Sequence, residues 1–200
     1  MNDLDVKVRM EDNGKEGFAI MTLPERFRLL SSTIMNGGYA ESDTVFFYEV
    51  PLGYDNLSPE EDMEEQCRKF GMPSHAVGFM TAADIRRVIT VCKEEFNGVL
   101  AVAVATAGVT NAVYAGERLP KEVLDILPKH VPAGDRNPPG TINVLVAVNV
   151  PLHDCGLANA FITVTEAKAA ALMDTGVDGT GTTSDAVSVA CPIGDGGKYA

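Results

Sequence analysis

The sequence predicts a single α/β or α+β domain, in which helices flank a mixed central β-sheet. Its 200 residues suit one domain, so we treat residues 1–200 as one unit. Two continuous apolar runs, residues 99–106 and 141–148, have the composition of buried strands. Short strand patterns alternate with helical patterns in the second half, which favours strands and helices packed in layers around one core.

Strand patterns dominate the first half of the chain. Runs with β-branched and aromatic residues between turn signals predict strands at residues 4–10, 16–22, 26–32, 44–50 and 76–80. The first two strands form a hairpin, because Asp12-Asn13-Gly14 is a strong turn signal. The third leads into Asn36-Gly37-Gly38, where paired glycines permit positive φ angles or a close backbone approach to a ligand.

Two helices are predicted before residue 100. The first covers residues 59–70, because Ser58 fits the N-cap and Pro59 fits the first helical position. This helix is highly acidic, and we interpret it as a solvated outer helix without a chemical role. The second begins near Asp84, since apolar residues recur at helical spacing from there until Gly98.

The apolar run at 99–106 is predicted to be the centre of the sheet. It ends in the small-residue loop 107–112, and active sites are often built where a buried strand ends in such a loop. Residues 120–127 then read as a helix. The Pro- and Gly-rich stretch 129–140 reads as a loop that is long enough to suggest a lid. The run at 141–148 supplies the next strand.

The helix predicted from residue 157, with its C-cap near Gly176, is apolar on two stripes, which predicts a buried helix. It nevertheless carries Glu166 and Lys168, which lie about 200° apart around the axis and so do not pair with each other. Isolated buried charges are costly, so each needs a partner or a role in chemistry. The loop 180–185 follows, rich in hydroxyls and small residues. It suits either ligand binding or a polar connection to the last strand.

Composition limits the partners of the chain. With 28 acidic and 16 basic residues the net charge is −12, which argues against nucleic acid and anionic membranes as partners. No signal peptide is recognised, and the apolar run near residue 100 is too short to span a bilayer. We therefore expect a cytoplasmic protein that binds a small molecule; its oligomeric state stays open.

The cysteines and histidines give no metal-binding pattern. The four cysteines contain no Cys-x-x-Cys motif, so reduced thiols are expected in a cytoplasmic protein. His153-Asp154-Cys155 could supply ligands, but adjacent residues rarely share one site well. We predict no protein-bound metal.

Four blocks of the sequence carry a family resemblance. In chain order they are Leu30-Ser31-Ser32 through Asn36-Gly37-Gly38, Thr106-Ala107-Gly108-Val109-Thr110-Asn111-Ala112, Gly140-Thr141-Ile142-Asn143, and Thr165-Glu166-Ala167-Lys168 with Thr180-Gly181-Thr182 and Asp185. Together they resemble the adenosylcobinamide amidohydrolase family. Two departures stand out: Thr183 replaces a residue that is usually small, and relatives continue past Ala200.

The resemblance implies hydrolysis of the amide between the aminopropanol arm and the corrin ring of adenosylcobinamide. The product is adenosylcobyric acid, which re-enters coenzyme B12 synthesis. No cofactor is implied, because the cobalt belongs to the corrinoid substrate. Two alternatives remain: a corrinoid-binding protein without turnover, which the short C-terminus would favour, and a hydrolase of another small amide.

Site residues follow from the same resemblance. Glu166 is predicted as the general base on water, and Lys168 as an electrostatic partner or proton donor. Asn111 and the Thr180–Thr182 loop are predicted as oxyanion donors, and Asp185 as the group that orients one of these residues. Nucleophilic attack by Thr110, Thr141, Thr180 or Thr182 is the rival mechanism. The predicted substrate-binding residues are Asn36, Gly37, Gly38, Thr106, Gly108, Thr110, Thr180, Gly181 and Thr182.

Overall fold

Eight strands form one mixed β-sheet in the computed structural model, which describes residues 4–12, 17–51, 54–118 and 140–195. The strands are β1 (Lys7–Asp12), β2 (Gly17–Ser31), β3 (Gly38–Glu49), β4 (Val77–Thr81), β5 (Thr90–Phe96), β6 (Val99–Ala107), β7 (Ile142–Val148) and β8 (Ala186–Pro192). The helices are α1 (Pro59–Lys69), α2 (Ile85–Val88) and α3 (Asp154–Asp174). The predicted fold class is confirmed. The predicted helix at 120–127 and all but the last residue of the loop at 129–140 lie outside the described residues.

The sheet order is β4-β3-β2-β8-β7-β6-β5, with β1 paired to the first half of β2. Strand β2 combines the predicted strands at 16–22 and 26–32, and its register with β3 shifts between Thr22 and Phe27. Its second half pairs with β8, so this one strand joins the two halves of the sheet. The predicted hairpin of β1 and β2 is confirmed by their antiparallel pairing, although its turn lies outside the described residues.

The inner face of the sheet curls around the main core. Side chains from strands far apart in the sheet order, such as Phe79 of β4 and Val104 of β6, belong to the same buried cluster. Asn143 Nδ2 on β7 donates to Met80 O on β4 over 3.0 Å. The curvature therefore brings one end of β7 back to β4.

Two helices cover the outer face. Helix α1 packs Met63 and Cys67 against aromatic side chains of β2 and β3, and burial raises the pKa of the Cys67 thiol to about 11. Helix α3 packs Leu157 against Val189 of β8. The Ser58 side chain makes no capping bond to α1, so its predicted capping role is wrong. No helix in the described part of the chain is long and apolar enough to span a bilayer.

The long helix predicted from Asp84 to Gly98 is wrong. The chain forms only the short helix α2 and then the edge strand β5, all seven of whose residues are exposed. Asn97 and Gly98 have φ angles of 51° and 80°, as a two-residue hairpin turn between paired strands requires. Pairing with β6 through this turn outweighs the helical spacing of the apolar residues.

The continuous apolar sequence of β6 predicted that this strand is the centre of the sheet, and that prediction is wrong. Strand β6 lies next to the edge strand, and β8 occupies the middle of the order. Its buried residues Leu100, Val102 and Val104 alternate with half-buried alanines. Because the outer positions hold small apolar residues, the sequence of β6 resembles that of a strand buried on both faces, although only its inner face is fully buried.

Helix α3 also differs from its prediction, because only Leu157 and Leu172 are buried along its 21 residues. Ile162 and Met173 are 54% and 67% exposed. The prediction of a buried helix is therefore wrong. Many of its apolar residues are alanines, which favour helix formation without requiring burial.

Candidate active site

Three segments predicted to carry the site meet where β6 ends and where β7 and β8 begin. Thr106 near the end of β6 pairs with Asn143 near the start of β7, and Asn143 pairs with Ala186 at the start of β8. The loop 107–113 and the loop 180–185 therefore lie on either side of the entry to β7. The register of the strands, rather than proximity in sequence, brings these segments together.

Asp185 is the centre of the site. Its carboxylate accepts hydrogen bonds from Ile142 N (2.9 Å), Thr182 N (3.0 Å) and Thr182 Oγ1, and it forms an ion pair with Lys168 Nζ. The Lys168 and Asp185 side chains are only 12% and 11% exposed. An ion pair so far removed from water needs such additional donors, because desolvation offsets much of the attraction.

Gly181 leaves room for this ion pair. A Cβ atom at position 181 would lie 2.5 Å from Asp185 Oδ2 and 2.6 Å from Lys168 Nζ. Gly181 O also accepts from Val113 N (2.9 Å), while Thr180 N donates to Val113 O (3.0 Å). The loop 180–185 is thus held over the ion pair by backbone bonds to the segment after β6.

Asn111 joins three parts of the site. Its Oδ1 accepts from Gly140 N (2.6 Å), and its Nδ2 donates to Thr183 Oγ1 (3.1 Å). Gly140 also lies against Gly108, since a Cβ at position 140 would be 2.3 Å from Gly108 O. This close contact and the Asn111 bonds fix the entry to β7 beneath the loop after β6.

Two hydroxyl groups lie next to this network. Thr141 Oγ1 and Ser184 Oγ are 2.8 Å apart, and either can be the donor. Thr141 is buried and Ser184 is exposed. Because Thr141 precedes Ile142 and Ser184 precedes Asp185, the hydroxyl pair lies directly beside the bond that joins those two residues.

The structure brings together Asn111, Lys168, Asp185, Gly108, Thr180, Gly181 and Thr182, all predicted site residues. Thr180 Oγ1 accepts a hydrogen bond from Ala115 N (2.8 Å), which links Thr180 to the segment that follows β6. Thr110 is exposed next to Asn111, and Thr106 is buried beneath the loops on the inner face of β6.

The turn at Asn36, Gly37 and Gly38 has a different structural role. Asn36 has a left-handed φ of 53°, and its Nδ2 donates to the carbonyls of Ser74 (3.0 Å) and Ala76 (2.8 Å). A Cβ at position 37 would lie 2.3 Å from Thr33 O, and Gly38 has a φ of 81°. These residues are explained by the geometry of the turn; their role in substrate binding stays a prediction.

Glu166 is exposed on α3, whereas Lys168 points towards Asp185. The expectation that Glu166 is a buried charge is therefore wrong. Its assignment as the general base stays a prediction.

Sequence reasoning left Gly140, Thr183 and Ser184 out of the site. Gly140 had a signal, because it opens one of the four family-like blocks. Ser184 had only its position beside Asp185, and Thr183 was seen as a departure from the family pattern. In this structure Thr183 is the acceptor for the Asn111 amide, so the departure fits its surroundings.

In the described ranges, no three His, Cys, Asp or Glu side chains are grouped so that they could hold a metal ion. His130 lies in the segment 119–139, outside those ranges. The expected absence of a cofactor stays a prediction.

Comparison with known proteins shows that the chain is an amidohydrolase. Enzymes of this class cleave an amide bond by adding water. The chain belongs to the adenosylcobinamide amidohydrolase family, whose model matches residues 2–200. The resemblance read from the four sequence blocks is thereby confirmed.

Two relatives carry the same description. One, from Methanosarcina mazei, is 32% identical over 159 residues, which cover 80% of this chain and 67% of the relative. The other, from Halobacterium salinarum, is 35% identical over 174 residues, which cover 84% of this chain and 68% of the relative. The chain thus spans about two thirds of their length. A crystal structure of a Pyrococcus horikoshii OT3 protein aligns with a TM-score of 0.45 at 11% identity, covering 93% of this chain and 71% of that one.

Proposed function

We propose that the chain hydrolyses the amide between the aminopropanol arm and the corrin ring of adenosylcobinamide. Water adds to the amide carbonyl, the C–N bond breaks, and the products are adenosylcobyric acid and free aminopropanol. The observation that carries this proposal is the family match over residues 2–200, together with the names of both relatives. A corrinoid is accordingly the proposed substrate.

The Lys168–Asp185 pair is the proposed centre of the chemistry. Both oxygens of Asp185 already accept bonds from neighbouring groups, which suits an orienting role rather than proton abstraction. Lys168 then supplies a fixed positive charge at the base of the loops. A positive charge held in a partly dry site stabilises the oxyanion that forms when the carbonyl is attacked.

Two further donors are proposed for the same oxyanion. The Asn111 amide carries two hydrogens, of which one is directed to Thr183, so the other can reach a ligand. The Thr180 hydroxyl accepts a backbone bond from Ala115 and still has a hydrogen to donate. Both residues are held by bonds on the protein side, which keeps the donors in a fixed orientation.

We propose water as the nucleophile, with a threonine ester as the rival. Thr182 is the rival with structural support, because its hydroxyl donates to the Asp185 carboxylate. Replacing it by valine removes the hydroxyl and preserves the side-chain volume. Under the water mechanism Thr182→Val retains turnover, and no covalent corrinoid adduct is found by mass spectrometry. Complete loss of turnover, or an adduct in the wild type, would favour the ester.

The test of the proposed function is incubation of the protein with adenosylcobinamide, followed by chromatography and mass spectrometry. Adenosylcobyric acid and free aminopropanol should form in equal amounts, and heat-unfolded protein is the control. Corrinoid that is bound by the protein but recovered unchanged would instead indicate a binding protein. Hydrolysis of unrelated small amides with no action on adenosylcobinamide would indicate another substrate.

A further inference from the structure

Two short segments of the candidate active site, residues 140–142 and 183–185, lie side by side. Their first residues are joined through Asn111, whose Oδ1 accepts from Gly140 N (2.6 Å) and whose Nδ2 donates to Thr183 Oγ1 (3.1 Å). One end of the paired segments is therefore fixed to the side-chain amide that we propose as an oxyanion donor.

The other positions of the two segments are joined directly. Thr141 Oγ1 and Ser184 Oγ lie 2.8 Å apart, and Ile142 N donates to Asp185 Oδ1 (2.9 Å). Asp185 in turn carries the ion pair with Lys168. The hydroxyl pair is thus the middle of three successive contacts, between two of the groups that we propose to stabilise the oxyanion.

Ser184 is the accessible member of the hydroxyl pair. It is exposed, whereas Thr141 is buried at 6% exposure. Donors to an oxyanion must lie at hydrogen-bond distance from it. A substrate carbonyl that is held between the Asn111 amide and the Lys168 ammonium group therefore lies next to the Ser184 hydroxyl.

The hydrogen of the Ser184 hydroxyl is directed to the protein. Ser184 Oγ donates either to Thr141 Oγ1 (2.8 Å) or to Gly140 O (3.4 Å). A hydroxyl oxygen can also accept two hydrogen bonds, and Thr141 can supply only one of them. In both arrangements Ser184 Oγ therefore presents an acceptor to the exposed side of the site.

Hydrolysis of an amide by water requires such an acceptor. The attacking water directs a lone pair at the carbonyl carbon, so its hydrogens must be held by acceptors. Lys168 and the Asn111 amide nitrogen are donors, and both oxygens of Asp185 already accept bonds. Ser184 supplies an acceptor directly beside these groups.

We infer that Ser184 binds and orients the attacking water and that Thr141 holds Ser184 in place, an inference that rests on the proposed function. In the reaction the water oxygen bonds to the carbonyl carbon, the C–N bond breaks, and one hydrogen of the water ends on the departing nitrogen. Ser184 touches the reacting water and is thus a catalytic residue. Thr141 acts through Ser184 and is a positioning residue.

Steady-state kinetics with adenosylcobinamide on single and double variants test this inference. Ser184→Ala should lower kcat by about 10²-fold and change KM little, because the water is misplaced while the corrinoid still binds. Thr141→Val should also lower kcat, and Thr141→Ser, which keeps the hydroxyl, should retain it. In the Ser184→Ala background, Thr141→Val should have no further effect on kcat, because the two hydroxyls act as one unit.

Ser58→Ala is the matched control, because Ser58 is exposed and its side chain makes no capping bond to α1. Equal kcat values for Ser184→Ala and the wild type overturn the inference and leave the proposed function standing. Additive effects of the two substitutions, loss of the thermal unfolding transition in Ser184→Ala, or a covalent corrinoid adduct on Ser184 also overturn it. Failure of the wild type to form adenosylcobyric acid overturns the proposed function, and this inference with it.

Discussion

At the scale of single residues, the Asp185 carboxylate links the loop 180–185 to the sheet. It binds the loop through Thr182, the start of β7 through Ile142 and helix α3 through Lys168. The loop 180–185, strand β7 and helix α3 thus all depend on one short side chain. The same network explains why position 181 requires a glycine.

Asp185→Asn is expected to destabilise the protein by about 3–5 kcal/mol, the range for breaking a buried ion pair. The amide keeps one acceptor oxygen but sets an NH2 group against donors, and Lys168 loses its counter-charge. Asp154→Asn is the matched control, because Asp154 pairs with Arg28 while 74% exposed, and exposed pairs contribute little. Equal denaturant midpoints for the two variants would show that the Asp185 network does not stabilise the fold.

Glu166→Gln separates the remaining roles of the exposed carboxylate. Because Glu166 is exposed, the substitution should change the free energy of unfolding by less than about 0.5 kcal/mol. If Glu166 is the general base, kcat for adenosylcobinamide should fall by about 10²–10⁴ while corrinoid affinity is unchanged. Wild-type turnover would remove Glu166 from the mechanism. Turnover, corrinoid affinity and melting temperature of this one variant show whether Glu166 is a general base or an exposed side chain without a role in the reaction.

At the scale of elements, the loops of the site depend on a close backbone contact between Gly108 and Gly140. Gly140→Ala should destabilise the protein by about 1–3 kcal/mol, because its Cβ would overlap Gly108 O at 2.3 Å and Asn111 Oδ1 at 2.6 Å. Gly108→Ala is the matched control, since its Cβ would meet its nearest atoms at an ordinary 3.7 Å. Thermal unfolding of both variants is the measurement. Equal tolerance of the two alanines would contradict the close contact.

The elements also show what local sequence patterns can and cannot predict. The strands at 76–80 and 141–148 and the helix at 59–70 were predicted to within a few residues, because their signals are local, whereas the strand predicted at 44–50 begins earlier, at Gly38. Strand β5 was missed because its apolar residues also fit helical spacing, and only pairing with β6 decides between the two. The exposure of α3 was missed because its composition does not reveal which faces the sheet leaves open.

In the site, too, local sequence patterns predicted some features, and contacts that depend on the fold were missed. The family-like blocks contained Asn111, Lys168, Gly181, Thr182 and Asp185, and the structure joins these residues through bonds and contacts. The Lys168–Asp185 partnership was not predictable, because it spans a helix and a loop. Glu166, whose exposure was not expected, shares the sequence motif of Lys168, but a separation of about 200° around the helix gives the two side chains different environments.

At the scale of the whole molecule, one curled sheet carries a helix on each half of its outer face, and the cysteines report on both contacts. Cys67 lies on the face of α1 that packs against the sheet, Cys191 lies on β8 beneath α3, and burial raises the pKa of both thiols. Cys92 and Cys155 are exposed. Of the four thiols in the native chain, two should therefore react rapidly with an aromatic disulfide reagent near neutral pH, because the thiolate is the reactive form.

A variant carrying both Cys92→Ser and Cys155→Ser should have no rapidly reacting thiol until it is unfolded. All four thiols of the wild type should react in denaturant. Rapid reaction of Cys67 or Cys191 in the native protein would mean that α1 or α3 does not cover the sheet as described.

The central claim is that amide hydrolysis takes place at the Lys168–Asp185 network. The most direct test is the rate of adenosylcobyric acid formation by Lys168→Met, which removes the ammonium group while Asp185 keeps its bonds from Ile142 and Thr182. Lys69→Met is the matched control, because Lys69 forms an exposed pair with Glu65 on α1. Loss of a positioned charge should lower kcat by about 10²–10³ in a folded Lys168→Met protein, while Lys69→Met retains wild-type turnover. Wild-type turnover by folded Lys168→Met would contradict the claim.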